Sequence, residues 1–196
     1  VRIVVPWGLG PSEEAALDRL LDKVRASGGQ ADVRIVRFDA LGERDAIATA
    51  YGALHGLRLV PGYRFDEAET VVSFGADFLG TWLNPAGFTR QWSTARDVEA
   101  RRTMPFHAQL ESTLTVTGGA ADERRPVKPS AMVPLLAGLV RALAGAQEGT
   151  LAALARDLTA SLGVESVALP ELAARLTKAG ARGLIVSGSD EPVAQL

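Results

Sequence analysis

Two carboxylates sit where a strand-forming run gives way to polar residues, the place from which a side chain can reach a ligand at the edge of an α/β sheet. Asp77 follows Val71, Val72, Ser73 and Phe74, and Glu111 follows a run ending at Leu110, with Ser112, Thr113 and Thr115 close behind. An ionised carboxylate only accepts hydrogen bonds and a hydroxyl does both, so this set could read the ribose or phosphate of a nucleotide. The same residue types also organise loops by bonding to nearby backbone. By residue type alone the turn role comes first for Asp77, and both roles stay open across residues 111–115.

Other candidates point to structure before chemistry. Gly8-Leu9-Gly10-Pro11 lies between a strand pattern and a helix pattern, where backbone N–H groups and the helix dipole could hold phosphate. It lacks the third glycine of a dinucleotide fingerprint and the Gly-Lys-Ser/Thr of a P-loop, so a plain strand-to-helix turn is expected. His55 and His107 are the only histidines, and they have neither cysteine partners nor a shared helical spacing, so structural or surface roles are expected of both. Arg90, Arg96, Arg101 and Arg102 gather near Trp92 and read as a solvated helix face. No Gly-x-Ser-x-Gly elbow is present. The absence of cysteine removes thiolate nucleophiles, Cys-rich zinc sites and thiolate-held iron-sulfur clusters together.

The elements that must position these residues follow from apolar spacing. Strands are expected at residues 2–5, 33–37, 71–74, 105–110 and 183–187, with a further short strand within 124–127 of an otherwise loop-like stretch, 112–130. Helical patterns run over residues 12–24, 46–54, 86–100, 131–144, 150–162 and 169–179. Strands alternating with helices predict an α/β fold, a layered and largely parallel sheet with helices on both faces. A chain of 196 residues with 47% hydrophobic and 22% charged residues can bury a core of its own as one domain or fragment, and residues 183–196 could open a following domain or sheet half. A net charge of −2 offers no nucleic-acid surface, and the apolar run 131–146 is interrupted by Pro134 and Arg141, too short for a membrane span. No targeting-peptide pattern opens the sequence, and ends that lie beside strand patterns are expected of a piece of a longer subunit.

Residues 62–80, from Gly62-Tyr63-Arg64-Phe65-Asp66 to Ala76-Asp77-Phe78-Leu79-Gly80, resemble the molybdopterin oxidoreductase family, and within it the large iron-sulfur and molybdopterin-like subunit of the quinol-oxidising alternative complex III. Arg90 and Arg96 fit that family's following helix. Residues 111–118 and 121–129 resemble its second block, and Gly183 to Gly188 resemble the strand that opens its next domain. The resemblance implies a Rossmann-like domain, partners among the other domains or subunits of a respiratory oxidoreductase, and a membrane-associated complex with an extracytoplasmic placement as one option. The residues themselves leave the compartment open.

The resemblance also implies where a pterin guanine dinucleotide would lie. Members loaded with that cofactor hold it with an Asp-Pro-Arg-like turn and a later Pro-Gly-Thr-Asp. Here Glu111 stands at the acidic position with Ser112 and Thr113 after it, and Pro129 is followed by Ser130, Ala131 and Met132. The lost arginine and aspartate are the partners suited to phosphate and to guanine N–H donors. The expected role is therefore a scaffold in a respiratory electron-transfer subunit with no redox cofactor of its own. The alternative is a working oxidoreductase domain binding part of a molybdopterin guanine dinucleotide, lined by Gly75, Asp77, Glu111 and Ser130. A nucleotide-binding regulatory module is a third option, by fold analogy alone. The family's cluster cysteines and metal ligand have no counterpart, which leaves open whether the chain is itself an enzyme.

Overall fold

A computed structural model describes residues 1–6, 9–27, 32–38, 42–99, 103–144, 169–190 and 194–195. Among the described residues there are six strands: β1 (Arg2–Val5), β2 (Arg34–Arg37), β3 (Thr70–Phe74), β4 (Phe106–Glu111), β5 (Glu123–Pro126) and β6 (Gly183–Ser187). The helices are α1 (Pro11–Ala26), α2 (Arg44–His55), α3 (Pro85–Ala95), α4 (Val116–Gly119), α5 (Met132–Ala144) and α6 (Leu169–Ala179). The helix expected at 150–162 lies outside the described residues, as do Gly8, Arg101 and Arg102.

The strands are parallel, as alternation with helices requires, but they form two sheets and not one. β1 and β2 pair alone, while the other four lie in the order β5-β4-β3-β6. From β3 the chain steps outward through β4 to β5, then returns to place β6 on the other side of β3. That reversal makes the β3/β6 boundary a topological switch point, where the carboxyl ends of the strands frame a crevice.

Strand periodicity divides the core. In β3 every residue is buried, and Val71 and Val72 belong to different apolar clusters because successive side chains face opposite sides of the sheet. One face packs Val71 and Val186 against Phe65, Phe78, Trp82, Phe88 and Trp92, with Ile47 of α2. The other packs Val72, Phe74, Ala108 and Leu110 against Leu135 and Leu139 of α5 and Leu172 and Leu176 of α6. Helices thus cover both faces, and this is an α/β, Rossmann-like layering.

The block 62–80 supplies much of the first core. Phe65 stacks on Phe78 with ring centroids 4.2 Å apart, and the Phe65 N–H donates to Gln91 Oε1 at 2.9 Å. Burial also raises the Tyr63 hydroxyl to about 12.

The stretch 112–130 is not uniformly loop: it contains α4 and β5 as well as a 3₁₀ turn at Pro129–Ala131. Gly118 and Gly119 give α4 no intrinsic helix preference, so side chains from outside the helix must hold it.

Candidate functional site

Parallel pairing puts Gly75, Asp77 and Glu111 at one end of the four-stranded sheet, its carboxyl edge. Gly75 leaves β3 with φ +72°, a left-handed conformation that glycine adopts without strain, and its N–H donates to the Leu110 carbonyl at 2.7 Å. Across the switch point, the Gly188 N–H donates to the Phe74 carbonyl at 2.9 Å. A β-carbon on Gly188 would come within 2.6 Å of the Gly75 carbonyl oxygen, so two backbones touch where a crevice would otherwise begin. Met132 brings its terminal methyl to 3.8 Å from the position a β-carbon would take on Gly75. Beyond β6, Gln195 Nε2 donates to the carbonyls of Ser187 at 2.9 Å and Ser189 at 2.7 Å.

The two carboxylates face the protein's own donors. Asp77 Oδ1 accepts from both the N–H of Thr117 at 3.1 Å and its hydroxyl at 2.7 Å, and Thr117 Oγ1 accepts the Leu79 N–H at 2.9 Å. This stitches the loop after β3 to α4. Glu111, 2% exposed, receives four hydrogen bonds. Oε2 takes the Thr115 hydroxyl at 2.6 Å and Gln109 Nε2 at 3.3 Å, while Oε1 takes Arg124 Nε at 2.5 Å and the Thr115 N–H at 3.3 Å. A carboxylate offers about four lone-pair sites, so this one is saturated. Gly118 lies so close that a methyl there would overlap the Glu111 carboxylate. Burial pushes the Glu111 carboxyl up, but the bonds from Thr115, Arg124 and Gln109 outweigh it and hold the group below the usual glutamate range.

A buried polar line continues from Glu111 down β4. Gln109 Nε2 reaches Glu111, Gln109 Oε1 meets His107 Nε2 at 3.2 Å, and all three residues are at most 2% exposed. His107 packs against Phe78 and Trp92, its Nδ1 has no hydrogen-bond partner among the described residues, and burial drops its pKa to about 4. Its structural role matches the expectation, in the core and not at the surface. Asp122 accepts the His107 N–H at 2.8 Å and pairs with Arg96, which lies over the Trp92 ring at 5.1 Å. Arg96 is therefore not part of a solvated face: it ties α3 to the segments flanking β4 and β5. His55, exposed on α2, packs against Tyr51 with tilted rings whose centroids are 4.3 Å apart.

The fourth expected site residue, Ser130, lies exposed in the 3₁₀ turn between β5 and α5. At the other glycine turn, the Gly10 N–H that could have met phosphate is taken by Glu13 at 2.8 Å, which closes the start of α1. Among the described residues, no group of three or more His, Cys, Asp or Glu could hold a metal ion. No helix there is long and apolar enough to cross a membrane.

No family model matches the chain. No curated protein matches it either.

The residues that sequence reasoning missed are Thr117, Gln109 and Arg124, donors that consume the two carboxylates, and Gly118, whose missing side chain leaves room for Glu111. Thr115 three positions before Gly118 is a helix-capping spacing, and its hydroxyl does accept the Gly118 N–H at 3.0 Å. That signal was present within the block read as a cofactor motif. At this edge Glu111 has no free acceptor for guanine N–H donors, and the Met132 methyl lies at van der Waals distance from the position of a β-carbon on Gly75.

Proposed function

We propose that the chain is a molybdopterin-oxidoreductase-like scaffold domain of a respiratory electron-transfer subunit, supplying shape and partner contacts and no redox cofactor of its own. The likeness of residues 62–80 and 111–129 to that family supports the family part of the reading. The saturated Glu111 carboxylate carries the scaffold part. A group that already accepts four internal hydrogen bonds would have to break them to receive guanine N–H donors, and Arg124 would be left without its counter-charge. Other domains or subunits of such a complex would then hold the clusters.

A specific observation keeps a second reading, a domain that holds part of a molybdopterin guanine dinucleotide. The order β5-β4-β3-β6 places a switch point between β3 and β6, and glycines stand on both sides of it, at Gly75 and Gly188. The two readings separate on purified protein. The scaffold reading expects iron and molybdenum well below stoichiometric after desalting and no tight response to guanosine diphosphate. Near-stoichiometric metal, or a micromolar nucleotide site, would overturn it.

A further inference from the structure

At the amino edge of the four-stranded sheet, opposite Asp77 and Glu111, a groove of about 750 Å³ opens between the end of α6 and the segments that lead into β3 and β4. Its lining includes Thr70, Met104, Pro105 and Phe106 from the strand side and Arg175 and Lys178 from α6. Arg175 and Lys178 are one helical turn apart and so project to the same side of α6.

The lining carries a small excess of positive charge, with Arg175, Lys178 and Arg182 against Glu67 and Glu69. Its acids already have partners, since Glu69 pairs with Arg182 at 2.8 Å and Glu67 with Arg64 at 2.8 Å. Arg175 lies over the Phe106 ring, 4.1 Å from the centroid, a cation–π contact that holds the guanidinium at the groove. Arg175 also forms an exposed i,i+4 ion pair with Glu171 at 3.6 Å, too long for a hydrogen bond, and a surface pair of this kind is worth little and is open to exchange with another carboxylate. Lys178 makes no ion pair among the described residues. Beside these cations, Met104 is a 54% exposed apolar side chain. An exposed guanidinium held on an aromatic ring, a second cation one turn on and an adjacent apolar shelf match a carboxylate carried next to an aliphatic side chain.

We propose that this groove docks an acidic peptide segment of a partner protein, one carboxylate lodging between Arg175 and Lys178 and a neighbouring apolar residue lying on Met104 and Pro105. The inference goes beyond the scaffold reading and does not depend on it, because the groove and the carboxyl edge share no residue. The negative end of the α6 dipole opposes an anion here, so the contact is weak and reversible.

The test titrates the isotopically labelled full chain with a capped hexapeptide of alternating glutamate and leucine, following backbone amide shifts. A glutamine-leucine peptide and free glutarate serve as the other two arms. The expected result is saturable shifts around residues 104–106 and 175–182, with a Kd below about 1 mM. The double substitution Arg175→Gln, Lys178→Gln should weaken binding by roughly tenfold or more. Both side chains are exposed, so the fold survives the change, and circular dichroism checks it. Unmoved amides, equal binding of the glutamine peptide or unchanged affinity in the double variant would each overturn the proposal. Equal binding of glutarate would replace the peptide with a small dicarboxylate and overturn it as well. A failed peptide titration leaves the nucleotide result untouched, and the reverse also holds.

Discussion

Replacing His107 with leucine should remove a specific part of the protein's acid sensitivity. The imidazole is fully buried, and burial lowers its pKa from 6.5 to about 4, so the native protein keeps it neutral where the unfolded chain protonates it. The unfolded state therefore binds more protons in that window, and stability rises with pH across it and falls as pH drops from 6.5 toward 4. Each pKa unit is worth about 1.4 kcal/mol, which limits the whole effect to about 3 kcal/mol. Between about pH 7 and about pH 5 the loss assigned to His107 is about 2 kcal/mol. Glu111 acts lower: its depressed carboxyl stabilises the fold above the ordinary glutamate range, and that part is lost as pH falls through the folded value. Urea unfolding followed by fluorescence of Trp82 and Trp92, both in the core, measures stability at the two pH values. Whatever His107→Leu costs at neutral pH, including the lost bond to Gln109, cancels in the difference. The variant should lose about 2 kcal/mol less than the wild type on acidification. An equal loss in both proteins would refute the buried neutral imidazole.

Three further substitutions probe the carboxyl edge. Gly118→Ala drives a methyl into the Glu111 carboxylate and should destabilise by about 2 kcal/mol or more; much of that should vanish in a Glu111→Ala background, measured as a double-mutant cycle. Gly188→Ala meets backbone at 2.6 Å and should cost about 1–3 kcal/mol by urea unfolding, with no side-chain change able to relieve it. Thr117→Val removes the hydroxyl's hydrogen bond to Asp77 and the acceptor for the Leu79 N–H while keeping the backbone bond, so the Leu79 amide should exchange with solvent at least about tenfold faster.

Much of the fold was legible because its central strands are apolar on both faces. Val71, Val72 and Phe74 are buried whichever way they point, so the run marks a strand without reference to its neighbours. Position after a strand also placed Asp77 and Glu111 at one edge. The separation into two sheets was not legible, since pairing depends on contacts between residues far apart in sequence. Nor was α4, whose glycines argue against a helix and whose support comes from Asp77, Glu111 and Thr115. The state of Glu111 was hidden for the same reason. Its counter-charge, Arg124, comes from the next strand, where β4–β5 register sets Arg124 beside Gln109 and diagonal to Glu111. Residue type suggested an acceptor waiting for a ligand, whereas register supplied the donors from within.

Calorimetric titration of the full chain with guanosine diphosphate asks directly whether the carboxyl edge is closed by its own contacts. With Glu111 saturated, Met132 against Gly75 and the motif arginine replaced, binding no tighter than about 0.1 mM is expected. A saturable micromolar site, weakened by both Glu111→Ala and Ser130→Ala, would place a nucleotide at that edge and contradict the scaffold assignment.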